Sequence, residues 1–373
     1  MNSSTNDKLF LLFYAPLFFV KLLTIDAGNN ILKVVAVGCF AVFFLYMVVK
    51  KRYKQKEFVF WILGGAYLSI LVITCGKEGA LFSFIAMILM RYTHRTRNRS
   101  VLFFVGLIGV PLGLYMTRGI RTAIRFDGVA WVSMTKRSNI AFISFYAVVT
   151  LYLMTYKNVK MRVIAIISGL TYLVYRYTGC RTGIVCAGIL LVLLVIFKSE
   201  RIRKSKVVKI LAMSIPTLCM AASIVVVYMY NAGNSWAIFI NSLTQGRIKL
   251  GCQFVNTYNP KIFGQPLAEN KGYLDSAYLD MYLCYGILFT IIWIVFTTIV
   301  IKWLFEKENY IGIAIIVSYA VFGTGETFLP NCFLNPSLLL YGEYLMEKFK
   351  LGQDYSRPVF IKWRKSRYKV WKK

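Results

Sequence analysis

The residues able to do chemistry here are arginines and a few carboxylates, set among long apolar stretches. Arg181 sits in TGCRTG and Arg247 opens GRIKLG. Arg118, Arg121 and Arg125 recur at i, i+3 and i+7, with Lys136 and Arg137 closing the same segment. The acids in comparable positions are Asp127, Glu269, Asp275, Asp280 and Glu326. A guanidinium offers a rigid fork of donors that matches phosphate oxygens. A carboxylate can take a proton from a hydroxyl. Together these types suit transfer to a hydroxyl from a phosphate-activated donor. No DxD is present, the single histidine (His94) lies in the basic run RYTHRTRNR, and none of the eight cysteines forms a CxxC pair. No metal site or cofactor is therefore expected.

The elements that must position these groups are membrane helices. The 373 residues are 58% hydrophobic and 16% charged, with a mean hydropathy of +0.60. That is too apolar for a soluble domain and too ordered in pattern for a disordered or fibrous chain. The net charge of +30 does not imply nucleic acid, because the cations fall in short runs between apolar stretches, as topology signals do. Apolar runs near 9–25, 31–49, 58–75, 100–117, 139–156, 208–230 and 278–303 can each span a bilayer. Shorter ones lie near 79–92, 163–178, 183–197, 310–326 and 331–348. The expectation is an all-α, polytopic membrane protein of about twelve transmembrane helices, with a large extracytoplasmic loop.

With the N-terminus inside, most of the 45 Lys and Arg fall in alternate, inward links such as KKRYKQKE and KSERIRKSKVVK. Both termini are then cytoplasmic. Residues 1–349 read as one multi-span domain, the N-terminal apolar run being its first span rather than a cleaved signal. Residues 350–373 form a basic, aromatic-rich tail suited to anionic headgroups.

Two outward links are long, 118–138 and 231–277. Links of that size tend to carry function. The spacing of Arg118, Arg121 and Arg125 predicts one helical face, which either binds phosphate or rests on lipid headgroups. TGCRTG predicts a tight turn between helices, where Arg181 either points into a bundle cavity, the favoured reading, or snorkels to the interface, as Arg176 is expected to do. Ile248, Cys252 and Val255 predict a short amphipathic helix over 247–257, ended by NPKIFG. Asp275 opens the return into the membrane, where it is either a helix cap or a base. Glu326, in FGTGETFLP, closes the outer end of a span, where burial would raise its pKa. With no outward histidine, the base is a carboxylate, Glu326 or Asp275 foremost, or the departing pyrophosphate itself.

The order GR…NPxxFG…LDSAYL…YG in a large outward loop, with the RTG turn and the many-span plan, resembles the bacterial O-antigen and capsular polysaccharide repeat-unit polymerases (Wzy-like), relatives of the O-antigen ligases. The likeness covers the layout of most of the chain, though each motif is short. By that resemblance, Arg181 and Arg247 are the family's turn and large-loop arginines. Phe263 and Gly264 form its FG turn, and Asp275, Ser276 and Tyr278 its loop-exit motif. Arg137 and Asn139 match an Arg and Asn at a span entry, although Ser138 stands where a Pro is usual.

The resemblance implies a metal-independent glycosyltransferase of the plasma membrane. Such an enzyme joins polyprenyl-pyrophosphate-linked oligosaccharides on the outer face, making capsule, exopolysaccharide or O-antigen. Implied partners are lipid-linked oligosaccharides, membrane lipids, and a flippase and chain-length regulator of the same pathway, with no nucleic acid. The alternatives are a flippase for lipid-linked sugar and a ligase-type transferase. The absence of an internal repeat argues against the first, and the absence of a histidine in the large loop against the second.

Overall fold

The computed structural model describes residues 3–22, 55–76, 78–90, 95–124, 130–135, 138–267 and 274–348. The expected span at 31–49 and the basic tail lie outside them. The described chain is mostly helical. In order come α1 (Ser3–Leu22), α2 (Gln55–Cys75), α3 (Gly79–Met90) and α4 (Arg95–Met116), then a hairpin of β1 (Arg118–Ile124) and β2 (Ala130–Thr135). Next are α5 (Ser138–Leu153), α6 (Met161–Thr178), α7 (Arg181–Ile196), α8 (Glu200–Lys204) and α9 (Lys206–Asn231). They are followed by α10 (Ser235–Leu243), α11 (Arg247–Thr257), α12 (Ala277–Asp280), α13 (Ile287–Glu306), α14 (Tyr310–Phe322) and α15 (Leu338–Lys348).

Among the described residues, three helices are long and apolar enough to cross a membrane: Asn98–Met116 within α4, α9 and α13. Six further apolar helices are shorter. The protein core is built where helices meet, around fully buried Tyr14, Tyr146, Tyr278 and Tyr319. Each of these hydroxyls needs a partner once out of water. Tyr146 donates to Ser318 Oγ at 2.6 Å, tying α5 to α14, and Tyr14 donates to the Cys332 carbonyl at 2.6 Å.

Polar contacts separate the two ends of the bundle. At one end, Arg99 at the start of α4 donates to the Met154 carbonyl just beyond α5 and pairs with Glu343 on α15. The opposite end gathers the first turn of α5, the α6–α7 turn, the segment from α9 to α13, and the chain leaving α14.

The hairpin corrects one expectation. Arg118 and Arg121 do not share a helical face, because RGIRTAI and AWVSMT pair as antiparallel strands. β-branched Ile120, Thr122, Ile124, Val132 and Thr135 favour that extended form over a helix. A register shift lies between Arg118, opposite Thr135, and Arg121, opposite Ser133. Gly119, with φ 153°, sits in this bulge. Arg125 lies outside the described residues.

The expected span 278–303 also begins differently. α12 passes into a π-helical turn, Met281–Tyr285, and the chain breaks at Gly286 before α13 starts. The break is made by NPKIFGQ docking backbone to backbone. Ile287 and Leu288 N–H groups, otherwise orphaned at a helix start, donate to the Lys261 and Ile262 carbonyls at 3.0 and 3.2 Å. Gln265 N–H donates to the Cys284 carbonyl at 2.9 Å. Gly264 (φ +81°) and Gly286 (φ +94°) make this approach possible. A Cβ on Gly264 would lie 2.2 Å from the Cys284 oxygen, and one on Gly286 2.3 Å from the Gly264 nitrogen.

Alanine at either glycine is expected to cost more than the roughly 1–3 kcal/mol of a positive φ alone, since backbone must also move. Size-exclusion profiles in detergent should show loss of monodisperse protein for Gly264→Ala and Gly286→Ala. Gly233→Ala should be retained, because that glycine has a φ of +74° but open space around it.

Candidate functional site

Five of the residues singled out in the sequence come together at one end of the bundle. The α6–α7 turn is as tight as TGCRTG predicts. α6 ends at Thr178, and Gly179 turns the chain with φ +67°, its N–H on the Tyr175 carbonyl at 2.7 Å. Arg181 is then the first residue of the 16-residue α7. Gly183, one turn into that helix, leaves room for Phe142 of α5. This contact seats the start of α7 against α5, whose second residue is Asn139. Arg247 is the first residue of α11, as expected, entered through Gly246 with φ +85°.

Arg247 joins the parts. Its Nη1 donates to the Gly325 carbonyl, and Nη1 and Nη2 both stand 3.4 Å from Glu326 Oε1. Its Nε stands 3.4 Å from Asp275 Oδ2. Asn139 Nδ2 donates to the same Glu326 oxygen at 2.9 Å. The Ala277 N–H fastens the loop by donating to the Gly323 and Glu326 carbonyls, at 2.8 and 3.1 Å. Thr182 completes one wall. A Cβ on Gly325 would lie 2.8 Å from the Thr182 methyl and 3.2 Å from Arg247 Nη1.

The start of α7 therefore abuts both the guanidinium and the Glu326 loop. Helix N-terminal N–H groups favour anions. Arg181 stands there half-buried, with Nη2 sealed from solvent and no hydrogen-bond acceptor for it among the described residues.

Burial dominates the electrostatics. The Glu326 side chain is 9% exposed. Desolvation pushes its carboxyl from 4.5 up to about 7, with Asp275 adding to the rise. Arg247 and the hydrogen bonds from Arg247 and Asn139 pull the other way and do not win. Asp275, one-third exposed, is also raised by desolvation, against the lowering effect of Arg247. Two carboxylates thus share one guanidinium, and the more buried one holds a proton near neutrality. Cys180 lies beside them, but burial pushes its thiol up to about 12. That disfavours the thiolate at neutral pH.

The other expected site residues are placed elsewhere. Tyr278 belongs to the core, not to a binding surface. It is 1% exposed and its hydroxyl is committed to the Ala320 carbonyl at 2.8 Å. Arg118 is exposed and lies over the Tyr115 ring at 4.4 Å. Arg121 takes its place in β1. Arg137, Asp127 and Glu269 lie outside the described residues. Sequence reasoning overlooked Thr182 and Gly325, although both adjoin residues it chose, in RTG and GTGE. Phe263, marked by the FG motif, is 60% exposed, and the motif's glycine serves backbone packing. Comparison with family models, with curated proteins and with solved structures finds no match for this chain.

Proposed function

We propose that the protein is a metal-independent, multi-pass glycosyltransferase of the bacterial plasma membrane that joins polyprenyl-pyrophosphate-linked oligosaccharide repeats on the outer face. The observation that carries this reading is the convergence of Arg247, Asn139, Asp275 and Glu326 beside the N-terminus of the helix that Arg181 begins. Most of the 45 Lys and Arg fall in alternate links, which supports the outward orientation of the others, although the long links 118–138 and 231–277 carry cations of their own.

In this mechanism Arg181, Arg247 and the first N–H groups of α7 hold the donor pyrophosphate. As the anomeric C–O bond breaks, they stabilise the negative charge that gathers on the leaving oxygen. Glu326, when ionised, accepts the proton of the acceptor sugar hydroxyl as that oxygen bonds to the anomeric carbon. The products are a glycosidic bond, a polyprenyl pyrophosphate and a protonated Glu326, which returns its proton to solvent. Asn139 positions the Glu326 oxygen. Asp275 keeps Arg247 oriented and holds the Glu326 proton affinity high.

The test is reconstitution. Purified protein in liposomes, given a polyprenyl-pyrophosphate oligosaccharide, should lengthen the glycan and release one polyprenyl pyrophosphate per new bond, with excess EDTA present. Passage of the lipid-linked oligosaccharide across the bilayer without lengthening would sink the transferase reading and favour transport.

A further inference from the structure

We propose that α10 is a membrane-surface helix whose apolar face is covered by the acyl chains of the leaflet at the site end of the bundle. Trp236, Phe239 and Leu243, at i, i+3 and i+7, share one face and are 70%, 54% and 62% exposed. The protein-facing side is different: Ala237 is 1% exposed, and Asn241 Oδ1 accepts from the Lys249 N–H at 2.9 Å. The helix SWAIFINSL carries no charge, so no electrostatic partner is called for.

Continuity with a membrane-length helix identifies the occupant. α9 has 26 residues, about 39 Å at 1.5 Å per residue, against a hydrocarbon layer of about 30 Å. Its outer face is apolar and exposed along its length, from Val207 and Leu211 to Val225. The end of α9 must therefore emerge at the bilayer boundary. α10 begins after a turn at Ala232–Asn234, in which Gly233 takes a φ of +74°.

A second apolar group lies at the same end. Ile262 and Phe263 are 61% and 60% exposed, and the Ile262 carbonyl caps the first turn of membrane-length α13. Both groups thus sit where a spanning helix meets the headgroups, the depth at which the Trp, Phe and Leu face of a surface helix is buried.

Arg247 follows Leu243 by four residues. Seating α10 in the interface therefore holds the polar cluster at headgroup depth, open sideways to a molecule carried on a lipid. The seating itself does not depend on the transferase reading, and its test reads membrane depth rather than activity.

The full-length protein is reconstituted into phosphatidylethanolamine–phosphatidylglycerol liposomes with a nitroxide at Phe239→Cys, or separately at Leu243→Cys. Lys249→Cys is the aqueous reference, and unsubstituted protein labelled in parallel gives the native-thiol background. Dissolved oxygen should relax the labels at 239 and 243 more strongly than a water-soluble nickel complex, at a depth of about 5–10 Å below the phosphates. The order should reverse at 249. Stronger relaxation by nickel at 239 and 243 would place the face in water. Protection from both reagents would place a second copy of the chain on it. Either result overturns the proposal.

Discussion

Glu326→Gln is expected to lower polymer formation by about 10²–10⁴-fold, the usual range for loss of a positioned base, while the protein stays folded. The amide keeps an oxygen for Asn139 and Arg247 and cannot accept the proton. In the unsubstituted protein burial pushes the Glu326 carboxyl up to about 7. The kcat/KM profile should then rise with pH and flatten above about 7, with activity at pH 6 about tenfold below that at pH 8. Bound pyrophosphate adds negative charge beside Glu326, so the kcat limb should lie at higher pH than the kcat/KM limb.

Stability should move the other way. Because the folded-state pKa lies above the ordinary 4.5, the unfolded chain gives up its proton first as pH rises. Folding loses free energy between about pH 4.5 and pH 7, then carries a constant penalty of about 3 kcal/mol above it. Glu326→Gln removes that penalty, so its thermal midpoint at pH 8 should equal or exceed the native one. A pH profile unchanged by the substitution would exclude Glu326 as the base and leave the departing pyrophosphate to take the proton.

How legible this arrangement is from sequence depends on the forces that make each part. Helices forced by long apolar runs are plain: α9 falls where the run at 208–230 puts it, and α13 takes up the C-terminal two-thirds of the run at 278–303. The 247–257 helix is equally plain, because its apolar period and its glycine-led start act locally. The π-helical turn and the break at Gly286 are not visible. They come from the NPKIFGQ segment, about twenty residues away in sequence, lending its carbonyls to α13. The hairpin at 118–135 is misread for a related reason. An arginine repeat at i, i+3 and i+7 fits a helix, but the β-branched residues between the arginines and a partner strand decide the outcome.

The site itself is half legible. Arg181, Arg247, Asp275 and Glu326 stand out because charge near apolar runs is costly and so calls for a reason. Their mutual contacts do not stand out, since each lies on a different element. Tyr278 shows the converse failure. A motif residue reads as a ligand contact until its hydroxyl is found committed to the Ala320 carbonyl in the core.

Arg247→Ala is expected to reduce polymer formation by about 10²–10³-fold, the cost of losing one preorganised donor to a developing oxyanion, and to do so for two separable reasons. The first is the grip on phosphate. Lysine keeps the charge but replaces the planar fork with a point donor. Arg247→Lys should therefore fall between alanine and native, mainly through kcat. The second reason is electrostatic. Arg247 is the group that lowers Glu326 most. Without the cation, Glu326 meets Asp275 unscreened and its pKa must rise. In Arg247→Gln, which keeps a donor without the charge, the low-pH limb should move upward. In Arg247→Lys it should stay nearly in place. A purely structural role for Arg247, holding the Gly325 carbonyl and the loop, would move neither limb. Three variants measured across pH, with size-exclusion profiles to confirm folded protein, separate the two roles. Normal polymer yield from Arg247→Ala would show that the guanidinium only ties the α11 start to the Glu326 loop.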